Sequence, residues 1–91
     1  MDLIVFSTKK CPNCEILKKW LKNHKMRFKE KDMESPEVMS ELIMKDVYSL
    51  STPVLQVNDK YLLPNDMFKE NKLDEKLLED NLGVKNENQG N

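Results

Sequence analysis

The fold follows from twelve residues near the start of the chain, Leu3-Ile4-Val5-Phe6-Ser7-Thr8-Lys9-Lys10-Cys11-Pro12-Asn13-Cys14. The apolar run that opens this segment is typical of a buried strand. Pro12 suits the first position of a helix, because its fixed φ is already helical and its missing N–H would have no intrahelical partner there. The segment therefore predicts a strand, a short loop and a helix that begins beside two cysteines.

Cys11 and Cys14 are the only cysteines in the sequence. Their spacing places both thiols on the first helical turn, where unpaired backbone N–H groups and the helix dipole favour an anion. Lysines at 9, 10, 18 and 19 add positive charge that also favours the thiolate, which is the nucleophile of disulfide exchange. We therefore expect Cys11 to attack a disulfide, and Cys14, one turn inward and more buried, to resolve the mixed disulfide.

A Cys-X-X-Cys pair can also be half of a zinc site. A structural zinc site has four ligands, but the sequence contains no second cysteine pair, and its one histidine, His24, is expected at the end of the first helix. A disulfide kept only for stability is also disfavoured, because so short a loop removes little entropy from the unfolded chain. We therefore expect no metal site in a single chain.

Length and charge limit the classes of function. The 91 residues make one domain, and the net charge of −1 indicates neither a nucleic-acid nor a membrane partner. Residues 1–31 carry nine basic and three acidic side chains, whereas residues 32–91 carry six and thirteen, so the thiols lie in the basic part. No signal-peptide pattern precedes the first strand, so we expect a cytoplasmic protein, where a Cys-X-X-Cys is more often catalytic or metal-binding than structural.

The rest of the sequence alternates between helical and strand patterns. The predicted strands cover residues 3–6, 26–29, 54–57 and 60–63, and the predicted helices cover 12–23, a segment from Pro36, and a segment ending at Gly83 with Asp66 or Asn71 as its cap. This βαβαββα order predicts an α/β domain over residues 1–83, with a four-stranded mixed sheet and three helices. Residues 84–91, which are polar after Val84, are predicted to be a disordered tail.

A family resemblance rests on two motifs. The Cys11-Pro12-Asn13-Cys14 motif after a strand, followed by Ser51-Thr52-Pro53-Val54 before a hairpin, resembles the glutaredoxins over residues 2–82. The resemblance implies a thioredoxin fold, a cis proline at Pro53 and reduction of disulfides with Cys11 as nucleophile. It also implies that Thr52 offers its backbone to the substrate and that Asp66 holds the amino group of a glutathione. The remaining residues expected in the substrate site are Lys9, Lys10, Pro12, Asn13 and Pro53.

The resemblance implies two possible reductants. One is glutathione, as a co-substrate and not a tightly bound cofactor, although Leu63-Pro64 replaces the Gly-Gly pair that usually lets glutathione approach. The other is a thioredoxin-reductase-type flavoenzyme, as in glutaredoxin-like redoxins that serve ribonucleotide reductase or other acceptors. We expect a monomer acting on disulfide-bearing proteins. Two alternatives stay open. One is an iron–sulfur cluster carrier in which two subunits each contribute Cys11, and the other is a binding module whose thiols take no part in redox chemistry.

Overall fold

The computed structural model describes residues 2–49 and 51–84. The elements are, in chain order, β1 (Leu3–Ser7), α1 (Pro12–Asn23), β2 (Lys29–Asp32), α2 (Pro36–Met44), β3 (Val54–Val57), β4 (Lys60–Leu62), α3 (Pro64–Met67), β5 (Phe68–Lys69), β6 (Lys72–Leu73) and α4 (Glu75–Leu82).

The main sheet has the strand order β2-β1-β3-β4. β1 runs parallel to β2 and antiparallel to β3, and β3 pairs with β4 in an antiparallel hairpin. Asn58 begins the turn of this hairpin with a φ of 55°, a conformation that asparagine tolerates well. The predicted four-stranded mixed sheet, with a parallel pair followed by a hairpin, is confirmed.

Both faces of the sheet are covered, because successive side chains of a strand point to opposite sides. Leu3 and Val5 belong to a first core cluster that includes buried residues of α1 and α4. Phe6 belongs to a second cluster with Leu42 of α2 and Val54 of β3. β1 is thus fixed from two sides, and the loop that follows the carboxyl end of this inner strand leads to Cys11.

The second strand lies later in the chain than predicted, at residues 29–32 and not 26–29. Met26 and Phe28 do become partly buried against the first cluster, but they belong to the connection before the strand. β2 consists of four charged residues, Lys29-Glu30-Lys31-Asp32, and lies at the edge of the sheet, where charged side chains are common. Its position is set by pairing with β1, and its own side chains carry no apolar signal.

The segment after β4 contains more structure than predicted. A one-turn helix, α3, and a two-stranded hairpin, β5–β6, precede α4, so the described residues form four helices where three were predicted. The sequence predicts Asp66 or Asn71 as the cap of the last helix, but neither residue caps it. The cap is Asp74, whose carboxylate accepts a hydrogen bond from the N–H of Leu77 at 3.1 Å. Asp66 lies in α3, and Asn71 lies in the turn between β5 and β6.

The last helix ends at the glycine that the sequence marks as its stop. Gly83 ends α4 in the left-handed conformation, with a φ of 69°. Val84, which the predicted tail included, is half-buried against the first cluster. Residues 85–91 of that predicted tail lie outside the described residues. Over residues 2–49 and 51–84, no helix combines the length and the apolar character needed to cross a membrane.

Candidate active site

Cys11 is the N-cap residue of α1. Its backbone is extended, with φ −141° and ψ 94°, and its carbonyl accepts the N–H of Glu15 at 3.2 Å. Its Sγ accepts the N–H of Cys14 at 3.0 Å, so the sulfur occupies the capping position itself. The predicted helix start at Pro12 is confirmed, and the sulfur lies at the positive end of the helix dipole.

Cys11 and Cys14 form a disulfide with their Cα atoms 5.2 Å apart. The two residues differ in access to solvent, since Cys14 is 0% exposed whereas Cys11 is half-buried. The prediction that Cys14 is the more buried cysteine is confirmed. An incoming molecule therefore reaches the sulfur of Cys11 first.

A pair of threonine hydroxyls adjoins the sulfur of Cys11. Oγ1 of Thr52 donates a hydrogen bond to Cys11 Sγ at 3.2 Å, and Oγ1 of Thr8 lies 3.2 Å from Oγ1 of Thr52. Donors directed at a sulfur favour its charged form. The Thr52-Pro53 peptide is cis, as the family resemblance implied, and Pro53 is fully buried. Thr8 is not among the predicted site residues, although it lies in the loop between β1 and Cys11.

Cys11 opens onto a cleft with a volume of about 1060 Å³. Part of its lining comes from the start of α1 and the loop before it: Thr8, Lys10, Cys11, Pro12, Asn13 and Ile16. The remaining lining residues come from three other segments: Met33, Glu34, Met39, Ser49, Ser51, Thr52 and Asn71. The cleft therefore brings together Lys10, Pro12, Asn13 and Thr52, four of the predicted substrate-site residues, around the predicted nucleophile.

Three predicted substrate-site residues are not among the lining residues of this cleft. Pro53 is buried, and Lys9 is exposed and lines a neighbouring groove. The carboxylate of Asp66 accepts the N–H of Leu63 at 3.0 Å at the start of α3. The role of Asp66 in holding a glutathione amino group stays a prediction, and its carboxylate already has a partner within the protein.

Ile16 has a different position from the one its sequence pattern suggested. It was assigned to the apolar stripe of α1 with Leu17, Trp20 and Leu21, and those three residues are buried. Ile16 is 42% exposed and lines the cleft beside Cys11. Because residues 16 and 17 differ by about 100° around a helix of 3.6 residues per turn, Ile16 lies at the edge of the stripe, on the side of the active site.

Lys18 does not provide the free positive charge that the sequence suggested. Its Nζ lies 2.7 Å from a carboxylate oxygen of Glu15 and 3.1 Å from one of Glu30. The hydrogen bond to Lys18, together with its charge, lowers the pKa of Glu15. The same hydrogen bond raises the pKa of Lys18, against the opposing effect of burial, and Glu30 adds to the rise. Lys10, which lines the cleft itself, is the better placed cation.

Comparison with known proteins agrees with this geometry. Residues 3–62 match the family model described as glutaredoxin. The chain belongs to the glutaredoxin family. No curated protein matches this glutaredoxin-family chain in sequence at a significant level.

Solved structures share the fold of this glutaredoxin-family protein. The thioredoxin-like protein BC3987 is 20% identical; its T8A mutant superposes with a TM-score of 0.70 over 92% of this chain and 97% of that one. The unmutated BC3987 gives 0.66 over 88% and 99% at the same identity. The glutaredoxin-like NrdH-redoxin from Escherichia coli is 16% identical, with a TM-score of 0.58 over 69% and 82%. These likenesses establish the thioredoxin-like fold.

Proposed function

We propose that this chain is a thiol–disulfide oxidoreductase that reduces protein or small-molecule disulfides through Cys11 and Cys14. The position of the Cys11 sulfur carries the proposal. It caps α1, accepts hydrogen bonds from the Cys14 N–H and the Thr52 hydroxyl, and faces an open cleft. Cys14 lies three residues later, in the first turn of α1, and is completely buried. Such an arrangement gives one sulfur to attack and one to resolve.

The first step is the attack of the reduced protein on its substrate. The thiolate of Cys11, stabilised by its two hydrogen-bond donors and the helix N-terminus, attacks one sulfur of a disulfide. A bond forms between Cys11 Sγ and that sulfur, and the substrate S–S bond breaks. The second substrate sulfur leaves as a thiolate and takes a proton from water.

The second step releases the rest of the substrate. Cys14 loses its proton to water and its thiolate attacks Cys11 Sγ, so the Cys11–Cys14 bond forms as the mixed disulfide breaks. The released substrate sulfur takes a proton in turn. Two electrons have then passed from the dithiol to the substrate, and the protein holds the disulfide seen between Cys11 and Cys14.

For the reductant we favour a thioredoxin-reductase-type flavoenzyme over glutathione. Leu63 is half-buried against the second core cluster and Pro64 begins α3, so side chains occupy the segment where many glutaredoxins have Gly-Gly. The Escherichia coli NrdH-redoxin is described as having a thioredoxin-like activity profile, which supports the same choice. Two electrons from NADPH would pass through the flavin to the disulfide and restore both thiols. One subunit suffices for this cycle, and we place it in the cytoplasm, where NADPH supplies the electrons.

One assay tests both the activity and the reductant. Oxidised protein is given NADPH with thioredoxin reductase, or NADPH with glutathione and glutathione reductase, and loss of NADPH absorbance is followed with insulin as the disulfide substrate. We expect turnover with thioredoxin reductase and little with glutathione. Cys11→Ser is the matched inactive variant. If the wild-type protein is no faster than this variant with both reductants, the proposed activity is contradicted. A brown colour on reconstitution with iron and sulfide would instead favour the iron–sulfur carrier.

A further inference from the structure

The β5–β6 hairpin places Asn71 at the active-site cleft. Phe68 pairs with Leu73 and Lys69 with Lys72, which leaves two residues, Glu70 and Asn71, as the turn. Their φ values are 52° and 66°. Two consecutive positive φ values are typical of the two-residue turn whose twist matches that of the flanking strands. Asparagine adopts this conformation more readily than most residues, so the turn presents Asn71 without distorting the hairpin.

The hairpin is fixed to the body of the protein. Phe68 and Leu73 are half-buried against the first core cluster, which contains the fully buried Met67. At the base of the hairpin, the N–H of Asp74 donates to the carbonyl of Met67 at 2.6 Å. Because its base is packed and hydrogen-bonded, the position of its turn relative to the cleft is determined by the core.

Asn71 has the groups needed to bind a polypeptide backbone. Its side chain is exposed, and it lines the cleft that also contains Cys11 and Thr52. An asparagine amide carries an acceptor oxygen and two N–H donors, which are complementary to the N–H and C=O groups of a peptide. Thr52 precedes Val54, the first paired residue of β3, so its backbone lies outside the sheet ladder. A chain in the cleft can therefore be contacted from two segments.

We infer that Asn71 is a specificity-determining residue that hydrogen-bonds the backbone of an extended polypeptide segment carrying the disulfide. This inference rests on the thiol–disulfide exchange proposed above. A small disulfide bound at Cys11 has no peptide backbone to reach the hairpin. Asn71 thus favours protein disulfides over small ones. Since it contacts the bound chain and not the reacting sulfurs, it leaves the thiolate of Cys11 unchanged.

The test compares two substrates in two variants. Asn71→Gly keeps the turn, because glycine adopts positive φ freely, but removes the amide. Asn58→Gly is the matched control, since Asn58 is the positive-φ asparagine of the β3–β4 turn and does not line the cleft. The measured quantities are kcat/KM for reduction of insulin and for reduction of hydroxyethyl disulfide.

We expect Asn71→Gly to lower kcat/KM for insulin by about three- to tenfold, the loss of one or two hydrogen bonds, with hydroxyethyl disulfide unaffected. Asn58→Gly should leave both values unchanged. An equal fall for both substrates, or no fall for insulin, would overturn the inference while leaving the oxidoreductase proposal intact. A wild-type protein that reduces neither substrate would overturn the proposed function, and the inference with it.

Discussion

The hydroxyl of Thr52 donates a hydrogen bond to the sulfur of Cys11 over 3.2 Å, joining two segments that are 41 residues apart in sequence. The hydroxyl oxygen of Thr8 lies within hydrogen-bond distance of that of Thr52, at 3.2 Å. A donor directed at sulfur stabilises a thiolate more than a thiol. The loop that precedes the cis proline therefore contacts the proposed nucleophile as well as forming part of the cleft.

Thr52→Val should raise the pKa of the Cys11 thiol by about one unit or slightly more. A hydrogen bond to a charged group contributes about 1.5 kcal/mol or more, and one pKa unit corresponds to about 1.4 kcal/mol. The measurement is a titration of thiolate absorbance at 240 nm in the reduced protein. Thr52→Ser keeps the hydroxyl and is the control, for which we expect a value close to wild type. Equal pKa values in the valine and serine variants would show that the hydroxyl has no such effect.

The two cysteine variants should fail in different ways. Cys11→Ser should abolish disulfide reduction, since it removes the sulfur that faces the cleft. Cys14→Ser should accumulate a mixed disulfide with the substrate, because the resolving sulfur is missing. Intact-protein mass spectrometry after incubation with a peptide disulfide detects the adduct. An adduct that forms in Cys11→Ser and not in Cys14→Ser would reverse the assigned roles.

Asp74→Ala should destabilise the protein by about 1 kcal/mol, a typical loss for an N-cap side chain. The carboxylate of Asp74 satisfies the N–H of Leu77 at the start of α4, a helix whose Leu78 and Leu82 are buried in the core. Urea unfolding followed by circular dichroism measures the change. Asp80→Ala, in an exposed part of the same helix, is the control, and an equal loss in both variants would contradict the capping role.

Lys18→Met should reduce stability most near neutral pH and low salt. The raised pKa of Lys18 means that its ion pairs stabilise the fold fully below the ordinary lysine pKa and are lost as pH rises through the folded value. The lowered pKa of Glu15 means that its ion pair with Lys18 stabilises the fold above the ordinary carboxyl pKa. This stabilisation is lost as pH falls through the pKa of Glu15 in the folded protein.

The quantity to measure is the difference between wild type and Lys18→Met in the urea midpoint of unfolding. We expect it to shrink at pH 3 and in 1 M sodium chloride, because salt screens the pairs of Lys18 with Glu15 and Glu30. Lys19→Met removes an exposed charge from the same helix and should show little effect under either condition. A difference that is independent of both pH and salt would assign the effect to packing alone.

Local rules explain why the sequence predicted the start of the fold so well. Pro12 marks the start of α1, and Gly83, with its positive φ, marks the end of α4. β1 and β3 are nearly continuous apolar runs, and most of their residues are buried because both faces of the sheet are covered. In contrast, the charged side chains of β2 follow no apolar pattern, because an edge strand is placed by backbone pairing with its neighbour.

The segment after β4 and part of the site could not be predicted for a related reason. Asparagine favours both helix caps and positive-φ turns, so the sequence offers Asn71 as one of two candidate caps, whereas it forms a hairpin turn. Cys11, Pro12 and Thr52 belong to motifs that can be recognised in sequence. Thr8 is only three residues from Cys11, but its contact with Thr52 exists only in the folded chain, and Asn71 comes to the cleft from a distant segment.

The central claim is that Cys11, at the start of α1, is the acidic and accessible nucleophile. The most direct measurement is the rate at which iodoacetamide alkylates each cysteine of the reduced protein as a function of pH, with the modified residue identified by peptide mass spectrometry. We expect Cys11 to react first, with an apparent pKa well below the value of about 8.5 for a free thiol. Preferential alkylation of Cys14, or a Cys11 that titrates like a free thiol, would contradict the account.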